Sequence, residues 1–156
     1  MPLAYAVERI TERWDELAPL SAAHFAEVGH LPESHAISLD RDAYAQAEQC
    51  GAHAFVTARD DRRLVGYLSI FLRRHIHADT LSAYQDAIYL EPAARQGWNA
   101  QHLVAFADAY LRDLGVSIVY QFVPTAHDFG AMLRQLGYNP TEMVWTRHLH
   151  QTKEAS

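Results

Sequence analysis

Ile88-Tyr89-Leu90-Glu91-Pro92-Ala93-Ala94-Arg95-Gln96-Gly97-Trp98-Asn99-Ala100 is the stretch whose reading decides the fold. An apolar strand runs into Glu91-Pro92 and stops, because proline cannot donate to a ladder. A short loop carries Arg95 and Gly97, and a helix begins near Asn99. The first N–H groups of a helix have no internal partners, and the helix dipole adds partial positive charge there. Gly97 lets the main chain approach a ligand closely or take a positive φ. Small Ala100 keeps the turn open and Arg95 adds a charge, so the segment has the makings of a pyrophosphate cradle. Taken alone the pattern is unspecific, since many strand–glycine–helix connections bind nothing.

Downstream, Leu103, Phe106, Ala107, Tyr110, Leu111 and Leu114 recur at helical spacing and Gly115 ends the stripe. Val116 to Val123 is nearly all apolar, the composition of a strand covered on both faces. Phe129, Met132, Leu133 and Leu136 repeat the helical spacing up to Gly137, and Met143 to Leu149 reads as a closing strand.

Upstream, Ser82 to Leu90 is the strand that feeds the loop. Before it, Ala52 to Ala58 and Arg63 to Leu72 flank the polar connection Arg59-Asp60-Asp61-Arg62, which reads as an antiparallel hairpin. Asp40 or Asp42 caps a short helix ending at Gly51. His30 to Leu39 reads as a loop. Thr11 is placed to cap a helical region reaching Val28, which Pro19 must kink or split, and Leu3 to Ile10 is extended. The order β, α, α, β, β, β, α, β, α, β describes an α/β (α+β) chain with a mixed sheet of about six strands and helices on both faces.

With 156 residues, 49% of them hydrophobic and 21% charged, the chain has the balance of one globular domain, expected over 1–150. Residues 151–156 read as a flexible tail. A net charge of −6 argues against a large nucleic-acid footprint. No apolar run is long enough for a membrane helix. The single cysteine, Cys50, fits a reducing cytoplasm. His75 and His77 form a His-x-His pair, but no third ligand is placed, so no metal is expected.

From about Arg63 to Leu149 the sequence resembles the GNAT superfamily of N-acetyltransferases, and within it a subgroup associated with phages and prophages. The resemblance rests on Asp86 to Pro92, on the loop Arg95 to Ala100, and on His127 to Tyr138, with its helix ending in Gly137-Tyr138. The family's coenzyme loop follows Arg/Gln-x-x-Gly-x-Gly/Ala. Arg95 and Ala100 agree with it, whereas Trp98 takes the middle glycine's place and Gly97 stands one position early. The resemblance implies a GNAT-like fold and acetyl-CoA as co-substrate. Ile88, Tyr89 and Leu90 would then pair with the pantetheine arm, and Gln96, Gly97, Trp98, Asn99 and Ala100, with Arg95, would hold the pyrophosphate. Val116 to Val123 would splay from Ser82 to Leu90 and open a cleft for a small-molecule or protein amine.

Amine acylation needs a base for the amine and an acid for the departing thiolate. Many members place an acid tyrosine four residues before the glycine that ends the last helix, and that position here is Leu133. The candidates to replace it are Asp86, a carboxylate in an apolar strand, His77 in the preceding loop, and His127 near the last helix; Asp128 reads rather as a helix cap. An active N-acetyltransferase and a catalytically silent acyl-CoA-binding regulatory module both stay open, as does a protein whose loop binds nothing. The oligomeric state is open too, and a homodimer is compatible with the sequence.

Overall fold

The alternating segments pair as a five-stranded sheet in chain order. Strand β1 spans Ala4–Glu8, β2 His53–Asp60, β3 Arg63–His75, β4 Thr80–Leu90 and β5 Val116–Tyr120. The first three pairings are antiparallel, and β4 and β5 run parallel. Parallel neighbours need a crossover, supplied here by helix α3, Asn99–Asp113; the other helices are α1, Trp14–Val28, α2, Arg41–Gln49, and α4, Gly130–Gln135. This computed structural model describes residues 2–29, 38–147 and 149. Most of the loop expected over His30 to Leu39, and the tail 151–156, lie outside the described residues.

The sheet buries both faces, as the mixed pattern implies. On one side Leu103, Ala107 and Leu111 of α3 meet Val56, Leu68, Ile70, Ala83 and Leu90. On the other, Ile10, Leu17 and Leu20 cover Phe55, Leu64, Tyr67 and Tyr89. Asp40 caps α2 by accepting from the Ala43 N–H at 3.0 Å, as expected. Thr11 caps nothing: it lies in a 3₁₀ turn, Ile10–Arg13, and its hydroxyl donates to Glu48. Helix α1 is not split either, but runs continuously through Pro19.

The C-terminal third departs from expectation. Strand β5 stops at Tyr120, and Ser117 and Ile118 are exposed, so it is not covered on both faces. Met143 to Leu149 forms no strand among the described residues, and Met143, Val144, Trp145 and Leu149 are 69–86% exposed. Among the described residues the sheet has five strands, in keeping with the mixed sheet of about six that was expected. A strand exists only where a neighbour takes up its backbone hydrogen bonds, and the outer edge of β5 receives none from this segment.

Candidate functional site

The register of β3 and β4 slips once, and the slip builds the site. Ser69 pairs with Ala87 and Ile70 with Gln85, leaving Asp86 as the extra residue of a β-bulge. One extra residue inverts the alternation of side chains. Ala83 faces α3 before the bulge, and Ile88 and Leu90 face it afterwards, while Tyr89 turns to α1. The Asp86 carboxylate reaches the α1/α2 side, where the Tyr44 hydroxyl donates to its Oδ2 at 2.5 Å and the Ser69 hydroxyl donates to the same oxygen at 2.9 Å. Oδ1 has no partner among the described residues. Asp86 is exposed, so the expectation of a buried carboxylate is corrected. Burial, and then the bond to Asp86, raise the Tyr44 phenol, which stays protonated as a donor.

Strands β4 and β5 part beside this bulge. Their last pair is Tyr84 with Tyr120, whose rings stack at 4.8 Å and 7°. Beyond it the Gln85 side chain accepts from the Phe122 N–H at 2.8 Å. From Asp86 to Leu90 the outer edge of β4 has no strand partner among the described residues.

That free edge leads into the loop. Pro92–Ala94 makes one 3₁₀ turn, and Gly97 takes φ +58°, which an L side chain rarely adopts. The Asn99 side chain donates to the Ala94 carbonyl at 3.0 Å, and Tyr5 donates to the Asn99 carbonyl at 2.9 Å. Among the described residues no side-chain cap bond is made at the start of α3, where the N-cap Trp98 is 60% exposed. A cavity of about 480 Å³ is lined by Gln96, Gly97 and Trp98 together with Leu3, Arg63 and Val65, and its described lining includes no residue of β5.

Arg95 is engaged within the protein. Its Nε donates to the Leu90 carbonyl at 2.7 Å, and its two terminal nitrogens grip Glu27 of α1 at 2.8 and 2.6 Å. The guanidinium also lies 5.4 Å over the Tyr89 ring. The bonds from Arg95 hold the Glu27 carboxyl below its usual range, with burial opposing them and the charges of His127 and His24 adding to them.

His77 is not brought to this cluster. It lies in the exposed turn between β3 and β4, next to His75. Six residue steps of strand run from Thr80 to Asp86, about 20 Å of chain. Asp128 accepts from the Gly130 N–H at 2.7 Å, but the N-cap position of α4 is Phe129, so the expected capping by Asp128 is replaced by this local turn. Leu133 is buried and packs in the core.

Several residues of the site were invisible in the sequence. Tyr44, His53 and Ser69 come from three elements and meet only through the tertiary fold, while from α1 Glu27 reaches the loop and His24 reaches the end of β4. His24 bonds the Tyr67 hydroxyl at 2.8 Å and stacks on Tyr89 at 5.1 Å. The available signal was His53, a polar residue opening a strand that continues with the apolar run Ala54-Phe55-Val56.

The model of the Acetyltransferase (GNAT) family matches residues 14–138, a span that includes the bulge, the parted strands and the loop. The chain belongs to the GNAT acetyltransferase family. No curated protein matches the sequence of this family member. Its fold is shared with a ribosomal-protein-alanine N-acetyltransferase from Brucella melitensis biovar Abortus 2308 at TM-score 0.68 and 16% identity, covering 97% of this chain and 100% of that one. An aminoglycoside acetyltransferase from an uncultured soil metagenomic sample, in complex with sisomicin, superposes at TM-score 0.67 and 14% identity over 97% of this chain and 95% of the other. A predicted acetyltransferase with acetyl-CoA from Clostridium acetobutylicum gives TM-score 0.74 and 12% identity over 94% and 96%. At such identities the likeness is one of fold. Among the described residues of this GNAT protein, no helix is long and apolar enough to cross a membrane.

Proposed function

We propose that this GNAT family member is an acetyl-CoA-dependent N-acyltransferase acting, in the cytoplasm, on a primary amine of a small molecule or protein. The observation that carries this reading is the parting of β4 from β5 after Tyr84, directly ahead of a glycine loop and an uncapped helix start. A free strand edge offers N–H and C=O groups to an amide-bearing arm, and the first turn of α3 offers amides to a pyrophosphate. Ile88, Tyr89 and Leu90 would hold the former, and Gln96, Gly97, Trp98, Asn99 and Ala100 the latter. Arg95 contributes by fixing the loop to Glu27 and Leu90 rather than by a free charge. Acetyl-CoA, when bound, supplies the activated acyl group.

The acid–base work falls to this chain's own side chains. Asp86 keeps Oδ1 open while Tyr44 and Ser69 hold Oδ2, the arrangement of a carboxylate ready to take a proton from an ammonium. His127, whose charge acts on Glu27, is the candidate to return a proton on the thiol side. His77 has no part in this scheme because of its distance. The burial of Leu133, where many members carry an acid tyrosine, favours a second reading as a catalytically silent acyl-CoA-binding module.

Thiol release from acetyl-CoA in the presence of an amine panel separates the two readings. Turnover with at least one amine is expected, reduced roughly 10²- to 10⁴-fold by Asp86→Asn, the range for loss of a general base. Coenzyme binding without turnover on any amine would favour the silent module.

A further inference from the structure

His53 has no role in the scheme above, yet it is held more closely than a packing residue needs to be. It is 8% exposed and packs against Tyr44 and Phe71, with ring centroids 5.1 and 5.0 Å away. Its Nε2 lies 2.8 Å from the Ser69 oxygen, and Ser69 is itself 2% exposed. A serine hydroxyl carries one proton. Ser69 donates that proton to Asp86, which as a carboxylate can only accept. The Ser69 oxygen must then accept from His53, so Nε2 carries the hydrogen and Nδ1 the lone pair. Nδ1 is buried without a partner among the described residues. A phenylalanine would fill the same aromatic pocket and leave no orphaned nitrogen, so the feature a histidine adds here is its Nε2–H. Burial keeps the ring neutral by lowering its pKa, against the opposing charges of Asp86 and Glu48.

We propose that His53 is a positioning residue for Asp86: its Nε2–H fixes the Ser69 hydroxyl as a donor to Oδ2 and so leaves Oδ1 as the oxygen that meets the amine. The chain of contacts runs His53 to Ser69 to Asp86, with Tyr44 closing it from α2. It ties β2, β3 and the bulge of β4 together at the point where the register slips. The inference rests on the reading of Asp86 as the base.

Two measurements test it. The first is the imidazole nitrogen spectrum of His53 at neutral pH, assigned by its loss in His53→Gln. The Nε2–H tautomer is expected in the parent, with its signals displaced in Ser69→Ala. An Nδ1–H tautomer, or signals indifferent to Ser69→Ala, would overturn the proposal. The second is kinetic, on variants whose melting confirms folding. His53→Phe keeps the packing and removes the donor, and is expected to lower kcat roughly tenfold, as a displaced catalytic group does, with KM for acetyl-CoA unchanged. His53→Gln restores a donor near the Nε2 position and is expected to bring kcat back toward the parent value. Parent-like kcat in His53→Phe, or no rescue by glutamine, would overturn it. Full turnover in Asp86→Asn would instead sink the general-base reading. The two failures are distinguishable because the tautomer measurement needs no acceptor.

Discussion

The face of the sheet beneath α1 and α2 and the C-terminal third behave in opposite ways. On the first, Arg13 and Arg59 each pair with Glu8 and Glu16, and Asp86, Ser69, Tyr44 and His53 form a linked chain. In the second, β5 is an edge strand and Met143, Val144 and Trp145 stand in solvent. Both regions carry strand-like apolar patterns. The difference lies in whether a neighbouring strand receives them, and the candidate site sits at the border, where β4 loses β5 after Tyr84.

Breaking the packed side should have the largest effect on stability. A Cβ on Gly66 would lie 2.3 Å from a Leu90 methyl and 2.7 Å from the Tyr89 carbonyl. Gly66→Ala should therefore cost about 1–3 kcal/mol in denaturant unfolding, as overpacking does, and should disturb the end of β4. Gly97→Ala meets no neighbour but keeps φ +58°, so about 1–2 kcal/mol of strain is expected together with weaker acetyl-CoA binding by calorimetry. Parent-like stability in both variants would mean that the sheet end and the loop are less fixed than described.

The buried histidine gives the packed side a pH signature. Burial lowers the folded pKa of His53 below its ordinary value, so between the two values the unfolded chain binds a proton that the folded chain refuses. Its contribution to stability is present above the ordinary histidine value, about pH 6.5, and is lost as pH falls through that window. The slope for one proton is at most about 1.4 kcal/mol per pH unit. His53→Gln should flatten the melting temperature against pH in this range by that share. The smallest effect belongs to the open side: Trp145→Ala should change stability by no more than about 0.5 kcal/mol, because its ring touches solvent. A larger loss would show that the segment has found a partner.

Much of the fold was legible because local patterns and their neighbours agreed. The hairpin of β2 and β3, the α3 stripe and the stop at Glu91-Pro92 each follow from short-range chemistry that pairing then satisfied. Phe106 and Leu114 of the stripe remain partly exposed, since the buried face is set by Leu103, Val104, Ala107 and Leu111. Met143 to Leu149 misled for the opposite reason, because its pattern says nothing about whether an edge is there to receive it. The position of Asp86 was legible, but its surroundings were not. A one-residue slip decides which face it joins, and register depends on the partner strand. The engagement of Arg95 with Glu27 spans 68 positions and has no local signal.

Calorimetric titration of the full chain with acetyl-CoA tests most directly whether the loop from Arg95 to Ala100 is a coenzyme site. Saturable binding is expected, clearly weakened in Gly97→Ala at a pH and temperature where that variant is folded. No binding at millimolar acetyl-CoA, or binding indifferent to the loop substitution, would contradict it.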